Sequence, residues 1–227
     1  MKKIKDEHLL KLRGVLKIFR TKVSQDDILI FNEIDIVKLP MLRGQTKDSE
    51  YRSVTDFLNK EEDYICLFAL TAGIGLKEII EGFKENGDDY SAIMSKLLAD
   101  RLTEAFAEKL HLDVREKIWG FEKETEKNIS DIIKGRYQGC RIAIGYPAIP
   151  DHSLKTDIFR LLDAERLTGM HLTENYMITP EESLCGLILA RGEYFNIGKI
   201  GDDQIADYAA RRGKTKEEMR KWLIKNI

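Results

Sequence analysis

Three observations predict an α+β fold with a largely antiparallel sheet for this 227-residue chain. Strand-like runs occur near both ends of the sequence, a long helical pattern lies between them, and two further helical patterns close the chain. Segregated strands and helices are typical of α+β proteins, whereas regular β-α alternation would indicate a parallel sheet. The chain length and the 43% hydrophobic content predict a single domain over residues 1–227.

The first elements are a short helix over residues 6–12 and three strands. Alternating and β-branched residues predict strands at "GVLKIF" (14–19) and "DDILIF" (26–31), joined by the polar turn "RTKVSQ" (20–25). The run "EIDIVKL" predicts the third strand.

The most strand-like stretch of the chain is "DYICLFALTAG", residues 63–73. It is almost continuously apolar and is followed by a glycine-containing turn, which is typical of a strand buried on both faces. We expect it to be the central strand.

A helix of about 30 residues follows from Asp88, because apolar residues recur every four positions. The predicted stripe is Met94, Leu98, Leu102, Phe106, Leu110, Val114 and Ile118, with Ile93, Leu97 and Ala105 beside it.

Shorter elements complete the chain. Helices are predicted at "DIIKG" (131–135) and over 154–169, where Gly169 supplies a C-terminal stop. The remaining predictions are strands at "MHLTENYMITP", "SLCGLILA" and "EYFNIGKI" and two closing helices from Asp202 and Thr215, the second with capping-box spacing from Thr215 to Glu218.

Composition excludes several classes of function. A net charge of −2 and a pI near 6.2 provide no basic field for nucleic acid or an anionic membrane. No apolar run reaches the roughly 18 to 20 residues of a membrane span, and the charged N-terminus does not resemble a signal peptide. Three cysteines without a C-x-x-C pair indicate a reducing compartment, so we expect a soluble cytoplasmic protein.

The segment "GCRIAIGYPAIPDHSLK", residues 139–155, carries the first candidate site. Arg141 is a planar fork suited to a carboxylate, and Gly145 allows a ligand to approach the backbone. Tyr146 and Tyr194 offer aromatic faces to a cation or a flat ring. The set suits a zwitterionic ligand that bears a nucleoside, but a proline-stiffened turn whose arginine pairs with a surface acid explains the same spacing.

A row of acids on the long helix is the second candidate site. Asp100 and Glu104 are four residues apart and Glu108 extends the row, although like charges at this spacing are locally unfavourable. One interpretation is a docking face for a basic or imidazole group. The other is a solvated acidic face relieved by Lys96 and Lys109.

Other chemistry is not indicated. Neither His152 nor His171 has a second ligand at metal-binding spacing, so no metal is expected. Cys140 lies beside Arg141, which could lower the pKa of its thiol, but no general base is evident nearby and a structural role is expected. The known phosphate-binding and nucleophile motifs do not occur.

Long segments of the chain resemble, in order and spacing, the C-terminal activation domain of cobalamin-dependent methionine synthase. The resemblance covers roughly residues 13–224. It is carried by the segments "DYICLFALTAG", "DDYSAIMSKLLADRLTEAFAEKLHLDVREKIWGF", "YQGCRIAIGYPAIPDHSLK", "GMHLTENYMITPEESLCGLIL" and "DQIADYAARRGKTKEEMRKWL". It implies a curved domain built on a twisted antiparallel sheet.

The resemblance also implies a ligand and partners. The family domain binds S-adenosylmethionine and closes over a cobalamin-binding domain, where an electron from a flavodoxin-type donor and a methyl group from S-adenosylmethionine restore methylcobalamin. By position, Arg141 matches the arginine that holds the ligand carboxylate. Ala143, Gly145 and Tyr146 match the loop that lines the site, and Tyr194 matches an aromatic residue from a later strand.

Asp100 and Glu104 match acids that face the cobalamin domain. Two departures are expected to weaken ligand binding: the family's Ile-Asp-Trp segment would precede the first residue here, and Gly135 stands where the family has a glutamate. The sequence therefore indicates a stand-alone reactivation subunit, an accessory component rather than a complete enzyme, which meets cobalamin only through its partner. The alternative is a non-catalytic module that binds a corrinoid protein and no longer binds S-adenosylmethionine.

Overall fold

The computed structural model describes residues 10–123, 129–223 and 226, and a six-stranded antiparallel sheet forms its centre. The spatial order of the strands is β3-β2-β1-β4-β8-β5, and β6 pairs with β7 in a separate two-stranded ribbon. The strands are β1 (Lys11–Ser24), β2 (Asp27–Phe31), β3 (Ile36–Pro40), β4 (Asp63–Ile74), β5 (Cys140–Ala143), β6 (His171–Leu172), β7 (Ile178–Thr179) and β8 (Ser183–Leu189). The predicted α+β class with a mainly antiparallel sheet is confirmed.

Seven α-helices are present in the described part of the chain. They are α1 (Leu76–Glu85), α2 (Asp89–Asp113), α3 (Ile129–Ile133), α4 (Lys155–Leu162), α5 (Ala164–Thr168), α6 (Asp202–Arg212) and α7 (Lys216–Trp222). The 25-residue α2 continues directly into a π-helical turn over Val114–Ile118, so the predicted helix of about 30 residues is confirmed. None of the described helices is long and apolar enough to cross a membrane.

Strand β4 is the central strand, as predicted, and it divides the interior into two cores. Its side chains alternate, so that Ile65, Leu67 and Ala69 enter the larger core on one face of the sheet. Cys66 and Phe68 enter a smaller core on the other face, where α2 packs. Because both faces of β4 are covered, its sequence reads as a continuous apolar run.

The face that α2 turns toward the sheet differs from the predicted apolar stripe. The residues buried along the helix are mostly small, namely Ala92, Ser95, Ala99, Thr103 and Ala107, and Leu110 and Val114 extend this row. Ile93, Met94, Leu97 and Ile118 are exposed instead. Small side chains let the helix axis approach the sheet closely, and this contact outweighs the preference of larger side chains for burial.

The N-terminal strand is longer than predicted. Thr21 and Val23 are buried and paired within β1, so the chain turns only at Gln25, which has a left-handed φ of 55°. The segment 20–25 is therefore mostly strand, because its β-branched residues Thr21 and Val23 alternate with polar residues. Of the predicted helix over 6–12, residues 6–9 lie outside the described residues, and Lys11 and Leu12 belong to β1.

Three C-terminal predictions also change. The helix predicted over 154–169 is interrupted at Asp163, whose φ is 51°, although it ends at Gly169 as predicted. The strand predicted over 170–180 is reduced to the two-residue strands β6 and β7. Residues 193–200 show the burial alternation of a strand but form no ladder in the described structure, because Gly192 just before the segment and Gly198 within it adopt positive φ values.

Candidate functional site

Strand β5 is the edge of the sheet at which the candidate site begins. Arg141 pairs with Ile188 of β8, and Ala143 pairs with Gly186. A Cβ atom at Gly186 would lie 2.1 Å from the carbonyl oxygen of Ile142, so the two strands meet this closely only because residue 186 is glycine. This contact sets the position from which the Arg141 side chain extends.

The chain leaves β5 through a tight turn. Gly145 has a φ of 94°. The N–H of Gly145 donates to the carbonyl oxygen of Ile149 (2.7 Å), and the N–H of Ile149 donates to the carbonyl oxygen of Tyr146 (2.8 Å). Pro147 follows Tyr146, where its fixed φ favours a turn. A Cβ atom at Gly145 would lie 2.6 Å from Cε1 of the His152 ring, so glycine is required both for conformation and for space.

The irregular segment after β8 carries Tyr194 to the same place. Phe195 and Ile197 are buried, so Tyr194, which lies between Glu193 and Phe195, is directed outward and half its surface is exposed. The N–H of Ile197 donates to the carbonyl oxygen of Pro147 (3.2 Å) and ties this segment to the turn. The predicted strand is absent, but its alternation still decides which way the tyrosine faces.

These elements enclose one cleft of about 260 Å³. It is lined by Glu104, Arg141, Ala143, Tyr146, Leu184 and Tyr194. Gly145 and Tyr146 also line an adjoining cavity of about 330 Å³, together with Pro147, Pro150, Asn196, Gly198, Lys199 and Asn226. The fold thus brings together Arg141, Ala143, Gly145, Tyr146 and Tyr194, all of which the sequence singled out. Asp100 is exposed one turn before Glu104 and does not line the cleft.

Arg141 forms an ion pair with an acidic residue of helix α2. Its Nη2 donates to Oε1 of Glu108 on α2, and its side chain is only 13% exposed. The two lysines that one interpretation assigned to the acidic row form their ion pairs elsewhere, since Lys96 pairs with Glu181 and Lys109 pairs with Asp113. Of the three acids in the row, Glu108 is the one held by an arginine, whereas Glu104 faces the cleft.

A buried polar cluster behind Arg141 was not predicted from the sequence. His111 and Arg115 are fully buried near the end of α2, where the Tyr137 ring packs 5.0 Å from the imidazole and 4.0 Å from the guanidinium. Arg115 donates through Nε to Glu122 (2.8 Å). Helical spacing could have indicated this cluster, because His111 and Arg115 lie four and eight residues after the buried Ala107. Residues at that spacing lie on the same face of a helix.

Burial controls the ionisation of this region. It lowers the pKa of His111 from 6.5 to about 2, with further contributions from Arg115 and Arg141, so the imidazole is neutral. Burial also raises the pKa of the Tyr146 and Tyr194 phenols. Although Arg141 acts in the opposite direction, burial raises the pKa of Cys140 to about 11, and the neutral thiol favours the expected structural role.

Gly135, the position at which the sequence departs from the resembling family, lies just after α3. Its φ is 64° and its N–H donates to the carbonyl oxygen of Ile132 (3.0 Å). A Cβ atom there would meet no heavy atom of the described residues within 4 Å. Glycine is accounted for by this left-handed helix end, and the position supplies no carboxylate.

Known proteins share this fold and much of this sequence. The family described as "Vitamin B12 dependent methionine synthase, activation domain" matches residues 1–213. A solved structure described as the MetH reactivation domain bound to AdoHcy is 36% identical in sequence and superposes with a TM-score of 0.94. That match covers 100% of this chain and 73% of the other.

Proposed function

Because the chain belongs to the activation domains of vitamin B12-dependent methionine synthases, we propose that it binds S-adenosylmethionine in the cleft between β5 and α2. The convergence of Arg141, Ala143, Tyr146 and Tyr194 on one cleft carries the proposal. The related reactivation domain bound to AdoHcy supports it, since AdoHcy differs from S-adenosylmethionine only by the sulfonium methyl group.

Each side of the cleft suits one part of this ligand. Arg141 would receive the carboxylate through its remaining donors, as a planar guanidinium does best. Ala143 and Gly145 leave the backbone open to close approach, and the Tyr146 and Tyr194 rings offer faces to the adenine or the sulfonium. Glu104 adds a negative charge on the side toward which the cationic groups of the ligand could turn.

The second part of the proposal concerns the partner. The chain would act as a stand-alone reactivation subunit on the cobalamin-binding domain of a methionine synthase core or a related corrinoid protein. A flavodoxin-like or other donor would reduce the cofactor by one electron, and the sulfonium methyl group would pass to the reduced cobalamin, with S-adenosylhomocysteine as the other product. The contribution of this chain would be positioning rather than acid-base chemistry.

Asp100 and Glu104 are proposed to face that partner. Both side chains are exposed on the same flank of α2, and Asp100 lies next to the cleft without lining it. An exposed carboxylate pair can accept hydrogen bonds from an imidazole or a basic side chain of another protein. Docking at this flank would place the partner over the mouth of the cleft.

Calorimetric titration with S-adenosylmethionine tests the ligand. We expect micromolar binding to the wild-type chain, loss of binding in Arg141→Ala, and unchanged binding in Arg166→Ala, which removes an exposed arginine on α5. Absence of binding to the wild-type chain would refute the proposed ligand.

Titration with a separate cobalamin-binding domain, with and without S-adenosylmethionine, tests the partner. Coupled sites must show reciprocal linkage, so the factor by which the ligand changes partner affinity must equal the factor by which the partner changes ligand affinity. Partner binding without any ligand binding would instead support the non-catalytic corrinoid-binding module.

A further inference from the structure

The Arg141 guanidinium is held before any ligand arrives. Its Nη2 donates to Oε1 of Glu108, which joins edge strand β5 to helix α2 across 33 residues of sequence. Nε of Arg141 is buried and has no hydrogen-bond partner in the described ranges. Among the residues that the structure describes, Glu108 is the ion-pair partner of Arg141, so the orientation of the guanidinium depends on this contact.

Glu108 differs from the other acids of its row in what surrounds it. Oε2 of Glu108 is also buried and lacks a partner within residues 10–123, 129–223 and 226, so the carboxylate is directed inward rather than toward water. Glu104 lies one turn earlier and lines the cleft, where no ion pair between described residues holds it. Glu108 is thus placed to orient Arg141, whereas Glu104 is placed to meet a ligand.

The buried cluster leaves this ion pair without a competing charge from the adjacent histidine. The neutral ring of His111 lies one turn beyond Glu108 and neither of its nitrogens has a partner in the described structure. Arg115 is directed to Glu122 instead of to Glu108. Arg115 and Arg141 therefore pair with different carboxylates, Arg115 with Glu122 and Arg141 with Glu108.

We propose that Glu108 is a positioning residue, which orients the Arg141 guanidinium so that its remaining donors face the cleft and the carboxylate of the ligand. The inference rests on the proposed binding of S-adenosylmethionine and extends it. The relevant property of Glu108 is its acceptor oxygen rather than its charge, because a second carboxylate beside Arg141 also repels the carboxylate of the ligand.

Two substitutions separate these properties. Glu108→Gln keeps an acceptor oxygen for Nη2 and removes the charge, whereas Glu108→Ala removes both and retains a strong helix former. We expect Glu108→Gln to bind S-adenosylmethionine as tightly as the wild type or more tightly. We expect Glu108→Ala to lose about tenfold or more in affinity, the effect of weakening a charge-assisted hydrogen bond.

Decarboxylated S-adenosylmethionine, which lacks only the carboxylate, is the probe that excludes a general structural effect. Its affinity should be the same for the wild type, Glu108→Gln and Glu108→Ala. Glu85→Ala, at the exposed end of α1, is the control for loss of a helix-surface carboxylate and should bind both ligands as the wild type does. Equal losses in the two Glu108 variants, or a loss that extends to the decarboxylated ligand, would overturn the inference.

The outcomes also separate this inference from the proposed function. If the wild type does not bind S-adenosylmethionine, both fail; if it binds and Glu108→Ala binds equally well, only the positioning role fails. An independent measurement needs no ligand: the ¹⁵N-labelled Arg141 side chain, assigned with Arg141→Lys, should show restricted rotation in the wild type and in Glu108→Gln. Rotation should become free in Glu108→Ala, and unchanged restriction there would refute the role of Glu108.

Discussion

The neutral, buried His111 makes a quantitative prediction about stability and pH. An unfolded chain exposes the imidazole, which takes up a proton as the pH falls through 6.5, whereas in the folded protein burial lowers the pKa to about 2. Between these values the unfolded state binds more protons, so acidification favours unfolding. The stability contributed by the neutral ring is complete above pH 6.5 and is lost progressively below it.

The size of the effect follows from the two pKa values. Each pH unit inside the window is worth about 1.36 kcal/mol, and the interval from pH 7 to pH 5 includes about one and a half such units below 6.5. His111 alone should therefore lower the free energy of unfolding by about 2 kcal/mol over that interval. This is a large share of the stability of an ordinary domain.

The perturbation is His111→Phe, which keeps an aromatic ring against Tyr137 and removes the titrating nitrogens. Urea unfolding at several pH values between 5 and 7.5 should show a flatter pH dependence in the variant, with the difference from wild type growing by about 2 kcal/mol toward pH 5. His171→Gln, in the exposed part of β6, is the control for removal of an imidazole elsewhere. Parallel curves for the wild type and His111→Phe would refute the assignment of a buried neutral histidine.

Three further substitutions test the packing that supports the site. Gly145→Ala should lower the free energy of unfolding in urea by about 1 to 3 kcal/mol, because residue 145 has a left-handed φ and its Cβ atom would lie 2.6 Å from the His152 ring. Wild-type stability of this variant would contradict the geometry of the turn. Gly186→Ala should force β5 away from β8 and weaken both thermal stability and the calorimetric binding of S-adenosylmethionine; loss of neither would show that the strands can separate freely. Glu122→Ala should lower the free energy of unfolding in denaturant by about 3 to 5 kcal/mol, since it leaves the buried Arg115 without its carboxylate. A decrease of less than about 1 kcal/mol would exclude that ion pair.

Local pattern was sufficient for much of the architecture. The apolar run over 63–73 predicted the central strand, and the repeated apolar spacing after Asp88 predicted the long helix with nearly its full length. The capping box of Thr215 and Glu218 is present as expected. These features depend on residues close in sequence, through backbone period and helix-end hydrogen bonds, so a linear reading captures them.

The orientation of the long helix was not available from pattern. Its larger apolar residues predicted one contact face, whereas the sheet accepts the row of small residues from Ala92 to Ala107. Which face packs depends on the shape of the surface opposite, and that surface is assembled from strands distant in sequence. The helix break at Asp163 and the missing ladder over 193–200 accompany positive φ values at Asp163, Gly192 and Gly198, which the apolar pattern does not reveal.

For the candidate site, the sequence by itself determined which residues to consider: the motif containing Arg141, Gly145 and Tyr146, and the acids of α2. Only the tertiary structure decided that Glu104 lines the cleft, that Glu108 holds Arg141, and that His111 lies neutral behind them. The physical reason is that these contacts join a helix to an edge strand whose neighbour in the sheet, β8, comes later in the chain. Sequence spacing specifies what a segment can form, while burial and pairing across the sheet specify which side chains meet and in which ionisation state.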